Sequence, residues 1–160
     1  MKKIQVAIMM GSESDLPTMQ EAAKILDDFG VTHELRVLSA HRSPKECAQY
    51  AEELKGRGAK VIICGAGGSA ALAGVVAAHS LLPVIGVPIE STALHGMDSL
   101  LSTVQMPPGV PVGAVAIGKS GAKNAALLAL RILALSDAEI DRKLEKYRND
   151  QREKVLKTKI

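Results

Sequence analysis

Apolar residues in this chain form short runs that alternate with stretches of helical spacing. Residues 3–10 form a near-continuous apolar run, which predicts a strand buried on both faces. Four further strands are predicted at residues 32–38, 59–64, 83–89 and 112–117. Apolar residues at helical spacing predict helices over 16–29, 44–55, about 70–80, 97–106 and 119–135. A sixth helix is predicted to run to about Val155, with Ser136 as its N-cap and Glu139 at the capping-box position.

Five strand–helix units with short connections predict an α/β fold with a five-stranded parallel sheet covered on both faces. We expect a three-layer sandwich of the flavodoxin-like or Rossmann-like type, formed by one α/β domain over residues 1–135. In the segment 124–135 only Asn124 and Arg131 are polar, which predicts burial by other subunits. Residues 136–160 are predicted to form an extended C-terminal helix that packs on neighbouring subunits, so a homo-oligomer is expected.

Composition narrows the possible partners and the compartment. The net charge is only +3 and aromatic residues make up 2% of the chain, which argues against a nucleic-acid partner. Two cysteines without partner-like spacing indicate a reducing compartment. Residues 1–5 show no signal-peptide pattern. The sequence therefore predicts a cytoplasmic protein.

The segment 61–89 carries no Asp, Glu, Lys or Arg and is long enough to resemble a membrane span. Five glycines, two prolines and His79 interrupt it. We therefore interpret it as a buried strand, a loop, a helix and a second strand, and we expect no membrane association.

The most informative stretch for chemistry is VLSAHRSP at residues 37–44. It is typical of a strand end, a short loop and a helix start, with Ser43 as N-cap, Pro44 at the first helical position and Glu46 completing a capping box. His41 and Arg42 would then lie at the carboxyl end of a strand and before a helix N-terminus, where α/β sheets bind ligands and anions. An imidazole that carries protons stands beside a bidentate anion clamp.

Two further loops follow parallel strands and are expected at the same edge of the sheet. They are residues 11–15 and the glycine-rich 65–69. Asp15 could accept ribose hydroxyls or simply cap the first helix, and both can hold. Hydroxyl groups for a phosphate are offered by Ser12, Ser14, Ser39 and Ser69.

Two known nucleotide-binding motifs also match this sequence, but each lacks part of the context that the motif requires. Residues 113–120 fit the Walker A expression, but the four residues between its glycines read as a strand core rather than a phosphate loop. Residues 65–70 fit a loose dinucleotide fingerprint, with Glu90 at a plausible ribose-binding distance along the chain. The chain has no room for a substrate domain beside a dinucleotide fold. A mononucleotide phosphate is therefore the better-sized ligand.

The other three histidines give weaker indications of a role in the site. His33 lies inside a predicted strand and His79 at a helix end, so structural roles are expected for both. His95 lies on the loop 90–96 and could line the site. No Cys, His or Asp spacing indicates a metal site, and none is expected.

Six motifs together resemble one enzyme family. They are GSESD at 11–15, SAHRSP at 39–44, GAGG at 65–68, LPVIGVP at 82–88, VQMP at 104–107 and KNAA at 123–126. This combination is similar to class I N5-carboxyaminoimidazole ribonucleotide mutase, the PurE family, which is the catalytic subunit of phosphoribosylaminoimidazole carboxylase. The resemblance covers about residues 4–135.

The resemblance implies an isomerase of de novo purine synthesis. It would move a carboxylate from the exocyclic nitrogen of a ribonucleotide to ring carbon C4, by decarboxylation and recarboxylation, without ATP, metal or organic cofactor. His41 would shuttle the proton. A homo-octamer with interlocked C-terminal helices, and coupling to the carbamate-forming synthetase, are also implied. The resemblance and the positions of the three loops together predict the substrate-binding residues. They are Ser12, Asp15, Ser39, Ala40, Arg42, Gly67, Gly68, Ser69 and Leu72.

The sequence departs from the family pattern at two places. Ser43 stands where the family usually has threonine. The family's glycine-rich loop usually contains a run AAHLPG, whereas residues 69–74 are SAALAG, so Ala71 replaces a histidine and Ala73 a proline. Two alternatives stay open: a class II carboxylase that uses free CO₂, and a non-catalytic nucleotide-binding module.

Overall fold

The structure, a computed structural model, describes residues 3–158 and contains a five-stranded, wholly parallel sheet. The strands lie in the order β2-β1-β3-β4-β5. Their bounds are β1 Val6–Met10, β2 His33–Val37, β3 Val61–Gly67, β4 Val84–Ile89 and β5 Gly113–Ala114. The helices are α1 Leu16–Phe29, α2 Pro44–Glu53, α3 Leu72–His79, α4 Met97–Val104, α5 Gly118–Ala134 and α6 Ala138–Leu156, and a 3-10 turn spans Glu13–Asp15.

Two hydrophobic cores lie on opposite faces of the sheet. On β1, Val6 and Ile8 pack with α1 and α5, whereas Ala7 and Met9 pack with α2 and α3. All five residues of β1 are buried, because helices cover both faces of a parallel sheet. The predicted three-layer α/β sandwich of flavodoxin-like type is confirmed.

Three predicted strands have bounds that differ by three residues or more. Strand β1 begins at Val6, three residues after its predicted start. Strand β3 continues to Gly67, three residues beyond the prediction, because Gly65 and Gly67 still pair with β4. Strand β5 has only two residues, not the six predicted. A Cβ on Gly121 would lie 1.6 Å from the carbonyl oxygen of Ala116, so α5 begins against the chain immediately after β5. Val115 still donates to the carbonyl of Gly86 (3.1 Å), and the chain then leaves the sheet and turns into α5.

The N-cap of α6 is Asp137, so the prediction of Ser136 is wrong. The carboxylate of Asp137 accepts hydrogen bonds from the N–H groups of Glu139 (3.0 Å) and Ile140 (3.2 Å). The Ser136 hydroxyl donates instead to the carbonyl of Leu133 in the last turn of α5 (3.4 Å). It therefore helps to end the preceding helix.

The first half of α6 packs on its own chain. Ile140 is buried, the rings of Phe29 and Tyr147 lie 6.0 Å apart, and Lys143 donates to the Phe29 carbonyl at 2.9 Å. Beyond this contact, residues 148–158 are exposed. Packing of the helix on a neighbouring subunit stays a prediction, and positions 1–2 and 159–160 of the predicted domains lie outside the described residues.

Much of the apolar segment 124–135 is also covered within the single chain. Helices α1 and α6 pack against α5, and the buried positions are Ala125, Ala126, Ala129, Leu130 and Leu133. Leu128 and Leu135 stay exposed. Together with the exposed polar side chains of Asn124 and Arg131, these leucines offer the surface of this segment to another subunit.

The uncharged segment 61–89 folds as the strand, loop, helix and strand that the sequence predicts. Within residues 3–158, no helix has both the length and the apolar character needed to cross a membrane.

Candidate active site

Four loops that follow β1, β2, β3 and β4 meet at one edge of the sheet and enclose a cavity of about 380 Å³. The expectation that loops 11–15, 39–43 and 65–69 open on the same edge agrees with this arrangement. The predicted site residues that line the cavity are Ser12, Asp15, Ser39, Ala40, His41, Arg42, Gly67 and Leu72.

Gly68 and Ser69 do not line the cavity. Gly68 adopts a left-handed conformation (φ 58°) that turns the chain after β3, and Ser69 is exposed. Their predicted contacts with substrate stay predictions.

Loop 11–15 is closed by its own polar groups. The carboxylate of Asp15 accepts a hydrogen bond from the N–H of Ser12 at 3.0 Å. The Ser12 hydroxyl accepts from the N–H and the hydroxyl of Ser14, at 3.4 and 3.0 Å. Ser12 is the N-cap residue of the 3-10 turn and Asp15 completes its capping box. Asp15 makes no side-chain cap of α1, because its carboxylate points back to Ser12.

Asp15 is also a buried carboxyl at the cavity wall. Desolvation by burial raises its pKa, whereas hydrogen bonds from the backbone of Ser12 and Gly11 and the charge of Arg42 act in the opposite direction. A buried carboxylate beside a cation is suited to accept hydroxyl groups of a ligand.

Loop 39–43 is held by Ser43, but not in the way that the sequence predicts. Ser43 is the N-cap residue of α2 and Pro44 follows at the first helical position, yet the hydroxyl of Ser43 makes no cap bond. It accepts from the N–H of Ser39 (3.0 Å) and donates to the Ser39 carbonyl (3.1 Å). The predicted capping box with Glu46 is therefore not formed, because the same hydroxyl closes the loop.

Arg42 connects this loop to the neighbouring one. Its Nη2 donates to the carbonyl of Gly11 at 3.0 Å, and the hydroxyl of Ser39 accepts from its backbone N–H (3.1 Å) and its Nε (3.4 Å). The guanidinium carries five N–H groups in a planar fork. Donors not used in these bonds remain for an anion in the cavity.

His41 precedes Arg42 on the same loop, lines the cavity and is exposed. Its ring forms no hydrogen bond with any residue of the range 3–158, so both ring nitrogens are accessible to a ligand. An imidazole with this access can give and take a proton at a bound molecule.

The opposite wall of the cavity is apolar. It is formed by Ala66, Gly67, Ala70, Ala71 and Leu72. Ala71 is the N-cap residue of α3 and provides no side-chain acceptor for the first N–H groups of that helix. Small side chains here leave room for a flat ligand between this wall and the loop of His41.

Sequence reasoning missed one polar residue of the lining, Ser91, which follows β4. The signal that could have identified it is its position, since it follows a strand in the same way that Ser39 follows β2. Gly67 explains how it reaches the cavity. A Cβ on Gly67 would lie 2.1 Å from the Ser91 hydroxyl oxygen, so only glycine permits this contact.

The other histidines lie outside the cavity lining. The ring of His33 lies 3.1 Å from the carbonyl of Val31, and the ring of His79 lies 3.0 Å from the carboxylate of Glu52. Both contacts are consistent with the structural roles predicted for these histidines. His95, which the sequence suggested could line the site, is not part of the cavity lining, and its ring lies 2.9 Å from the carboxylate of Glu90.

The Walker A match lies outside this geometry, whereas Ala66, Gly67 and Ala70 of the dinucleotide fingerprint line the cavity. The carboxylate of Glu90 bonds to His95 and does not reach the cavity lining, and residues 113–120 are not part of that lining. In the part of the chain that the structure describes, no cluster of three or more Cys, His, Asp or Glu side chains could hold a metal ion.

Comparison with known proteins shows what this chain resembles. The family model described as AIR carboxylase matches residues 5–154. The N5-carboxyaminoimidazole ribonucleotide mutase of Pyrococcus abyssi is 60% identical over 148 residues, which cover 92% of this chain and 84% of that protein. The Bacillus subtilis protein of the same name is 54% identical over 153 residues, which cover 96% of this chain and 94% of that protein.

Solved structures agree with these relatives. A crystal structure of Treponema denticola PurE superposes with a TM-score of 0.86 at 32% sequence identity, covering 95% of this chain and 94% of that one. From the family model and the identity to its curated relatives, the chain belongs to the AIR carboxylase family.

Proposed function

We propose that this protein is an N5-carboxyaminoimidazole ribonucleotide mutase, an isomerase of de novo purine synthesis. The observation that carries the proposal is identity of 54–60% to curated mutases over nearly the whole chain. The cavity supports it, because a proton carrier and an anion clamp, His41 and Arg42, lie side by side on one loop.

The nucleotide is bound by its phosphate and its ribose. The phosphate accepts hydrogen bonds from the guanidinium of Arg42 and from hydroxyl groups of Ser12 and Ser39, all of which line the cavity. Asp15 accepts a ribose hydroxyl. The base then extends toward the apolar wall, where small side chains leave space for a planar ring.

His41 moves one proton in each half of the reaction. The imidazolium gives its proton to the exocyclic nitrogen as the bond from that nitrogen to the carboxylate carbon breaks, which releases CO₂ inside the cavity. Carbon C4 then attacks the CO₂, a carbon–carbon bond forms, and the neutral imidazole takes the proton that leaves C4. The imidazolium is restored, so the reaction consumes no cofactor.

Retention of CO₂ depends on the apolar wall. Ala66, Ala70, Ala71 and Leu72 present no polar side chain to a released CO₂ molecule. Exclusion of water there slows hydration of the CO₂ to bicarbonate and its escape from the cavity. Ala71, which occupies the position of a family histidine, leaves this wall more open than a larger side chain would.

We further propose a homo-oligomer, an octamer as the resemblance implies, in the cytoplasm and coupled to the synthetase that forms the labile carbamate. An exposed apolar stripe on α4 and the preceding loop supports assembly; its members are Leu94, Met97, Leu101 and Val104. Leu135 is 88% exposed and adds to the uncovered apolar surface. Light scattering at micromolar concentration should give several times the mass of one chain, and the mass of a single chain would contradict the proposal.

The function is tested by incubating purified protein with the N5-carboxylated nucleotide, without added bicarbonate or ATP. Mutase activity gives the C4-carboxylated product under these conditions. A class II carboxylase would form that product only from the decarboxylated nucleotide and CO₂, and a binding module would form none.

A further inference from the structure

Ser91 is a cavity-lining residue that the reaction as described above does not use. It lies in the loop 90–96 after β4, and its side chain lies against the Cα atom of Gly67 at the end of β3. A Cβ on Gly67 would come within 2.1 Å of the Ser91 oxygen and 2.7 Å of its Cβ. The glycine therefore allows Ser91 to approach the neighbouring loop closely.

The loop around Ser91 is held in place by its own hydrogen bonds. Thr92 donates from its hydroxyl to the carboxylate of Asp98 at 2.6 Å. The hydroxyl of Ser99 lies 2.9 Å from the carbonyls of both Ile89 and Gly96. The hydroxyl of Ser91, by contrast, bonds to no other atom of residues 3–158. Ser91 is thus positioned by its surroundings while its hydroxyl stays free.

The order of the strands gives the cavity two chemically different ends. Arg42 joins the loops after β2 and β1, which lie next to each other at one end. The lining from β3 and β4 lies at the other end, and among the described residues Ser91 supplies its only polar side chain. In the proposed binding mode, with the phosphate at Arg42, the base extends past His41 toward the end that contains Ser91.

We propose that Ser91 binds the carboxylate that the reaction moves. Its hydroxyl donates a hydrogen bond to the carboxylate oxygen on the exocyclic nitrogen, and after transfer to the carboxylate oxygen on C4. This inference rests on the proposed function and adds a residue to it. It also predicts selectivity, because the decarboxylated nucleotide has no carboxylate for Ser91 to bind.

The test compares two stable nucleotides by calorimetric titration, aminoimidazole ribonucleotide and its C4-carboxylated form. Ser91→Ala removes only the hydroxyl from an exposed loop position. Ser102→Ala is the matched control, since its hydroxyl donates to the carbonyl of Asp98 on α4, outside the cavity lining. Circular dichroism of both variants checks that the fold is intact.

Loss of a hydrogen bond to a charged group should weaken binding of the C4-carboxylated nucleotide roughly 10-fold or more. Affinity for the decarboxylated nucleotide should change less than about twofold, and Ser102→Ala should leave both unchanged. If Ser91→Ala weakened the binding of both nucleotides equally, Ser91 would only shape the cavity. If it weakened the binding of neither, Ser91 would not contact the carboxylate. Either result overturns the proposal. If the unaltered protein bound neither nucleotide, the proposed function itself would be wrong.

Gly67→Ala provides a second, independent test. The added Cβ displaces Ser91 without changing its hydroxyl group. The same selective loss for the C4-carboxylated nucleotide is expected, and unchanged selectivity would contradict the proposed contact.

Discussion

Arg42 donates a hydrogen bond from Nη2 to the carbonyl oxygen of Gly11, 3.0 Å away, although 31 positions separate them in the chain. This bond joins the loops after β2 and β1 and orients the guanidinium along the cavity wall. A planar fork can hold the carbonyl with one nitrogen and an anion with others, which a lysine ammonium cannot do in the same geometry.

Arg42→Lys should therefore weaken binding of the nucleotide clearly while keeping the positive charge. We expect roughly a 10-fold loss or more, because hydrogen bonds to a charged group are lost. Titration calorimetry with the C4-carboxylated nucleotide measures it. Arg36→Lys, on β2 outside the cavity lining, is the control and should bind normally. If the dephosphorylated nucleoside bound the unaltered protein as tightly as the nucleotide, Arg42 would not be a phosphate clamp.

His41→Asn should keep nucleotide binding and lose roughly 10²–10⁴-fold in turnover, because asparagine cannot transfer protons. Steady-state assays with the N5-carboxylated nucleotide test this, beside titration of the C4-carboxylated form. His79→Asn is the control, since that ring lies at the end of α3 and contacts Glu52. Near-normal turnover by His41→Asn would exclude His41 as the proton carrier.

Ala71→His should raise turnover and reduce uncoupled release of decarboxylated nucleotide. Ala71 lines the cavity, and a larger side chain there would exclude water from the space in which CO₂ is held. The experiment follows the C4-carboxylated and decarboxylated products together. Ala78→His, on an exposed position of α3, is the control. Equal rates and equal partitioning in the two forms would show that position 71 takes no part in the chemistry.

The ion pair between Glu34 on β2 and Arg57 is predicted to make the free energy of unfolding fall as the pH is lowered into the acid range. Arg57 donates from Nη2 to Glu34, and Tyr50 donates to the same carboxylate at 3.3 Å. The bond from Arg57 holds the pKa of Glu34 below its usual value. A lowered carboxyl pKa stabilises the fold fully above the ordinary pKa, and that stabilisation is lost as the pH falls through the lowered value.

Glu34→Gln should lower the free energy of unfolding near neutral pH by about 1–3 kcal/mol, because Arg57 loses its charged partner. Urea denaturation between about pH 6 and about pH 3 measures it. The difference between the two proteins should shrink toward the acid end, where Glu34 of the unaltered chain is protonated. Glu145→Gln, on an exposed position of α6, should change little. A difference independent of pH would show that the charge of Glu34 is not responsible.

The layers of this fold could be predicted from its sequence because buried parallel strands are continuous apolar runs. The run at β1 and the uncharged segment 61–89 both fold as predicted. The positions of His41 and Arg42 followed from the same rule, since loops after parallel strands share one edge of the sheet.

Details that depend on tertiary contacts could not be predicted in this way. The hydroxyl of Ser43 can cap a helix or close a loop, and only the position of Ser39 decides between them. The early end of β5, after which the chain turns tightly from Ala116 into α5, leaves no mark on the apolar run 112–117. Ser91 reaches the cavity only because Gly67, 24 positions earlier, lacks a side chain, and this relationship has no local signal.

The central claim is that one carboxylate moves within a single cavity, from nitrogen to carbon. It is tested most directly with substrate carrying ¹³C in the carbamate, turned over in excess unlabelled bicarbonate. We predict that the C4 carboxylate of the product keeps most of the ¹³C, because the released CO₂ is recaptured before it exchanges with the solution. Product that contained only unlabelled carbon would contradict the account and would identify an enzyme that takes its CO₂ from solution.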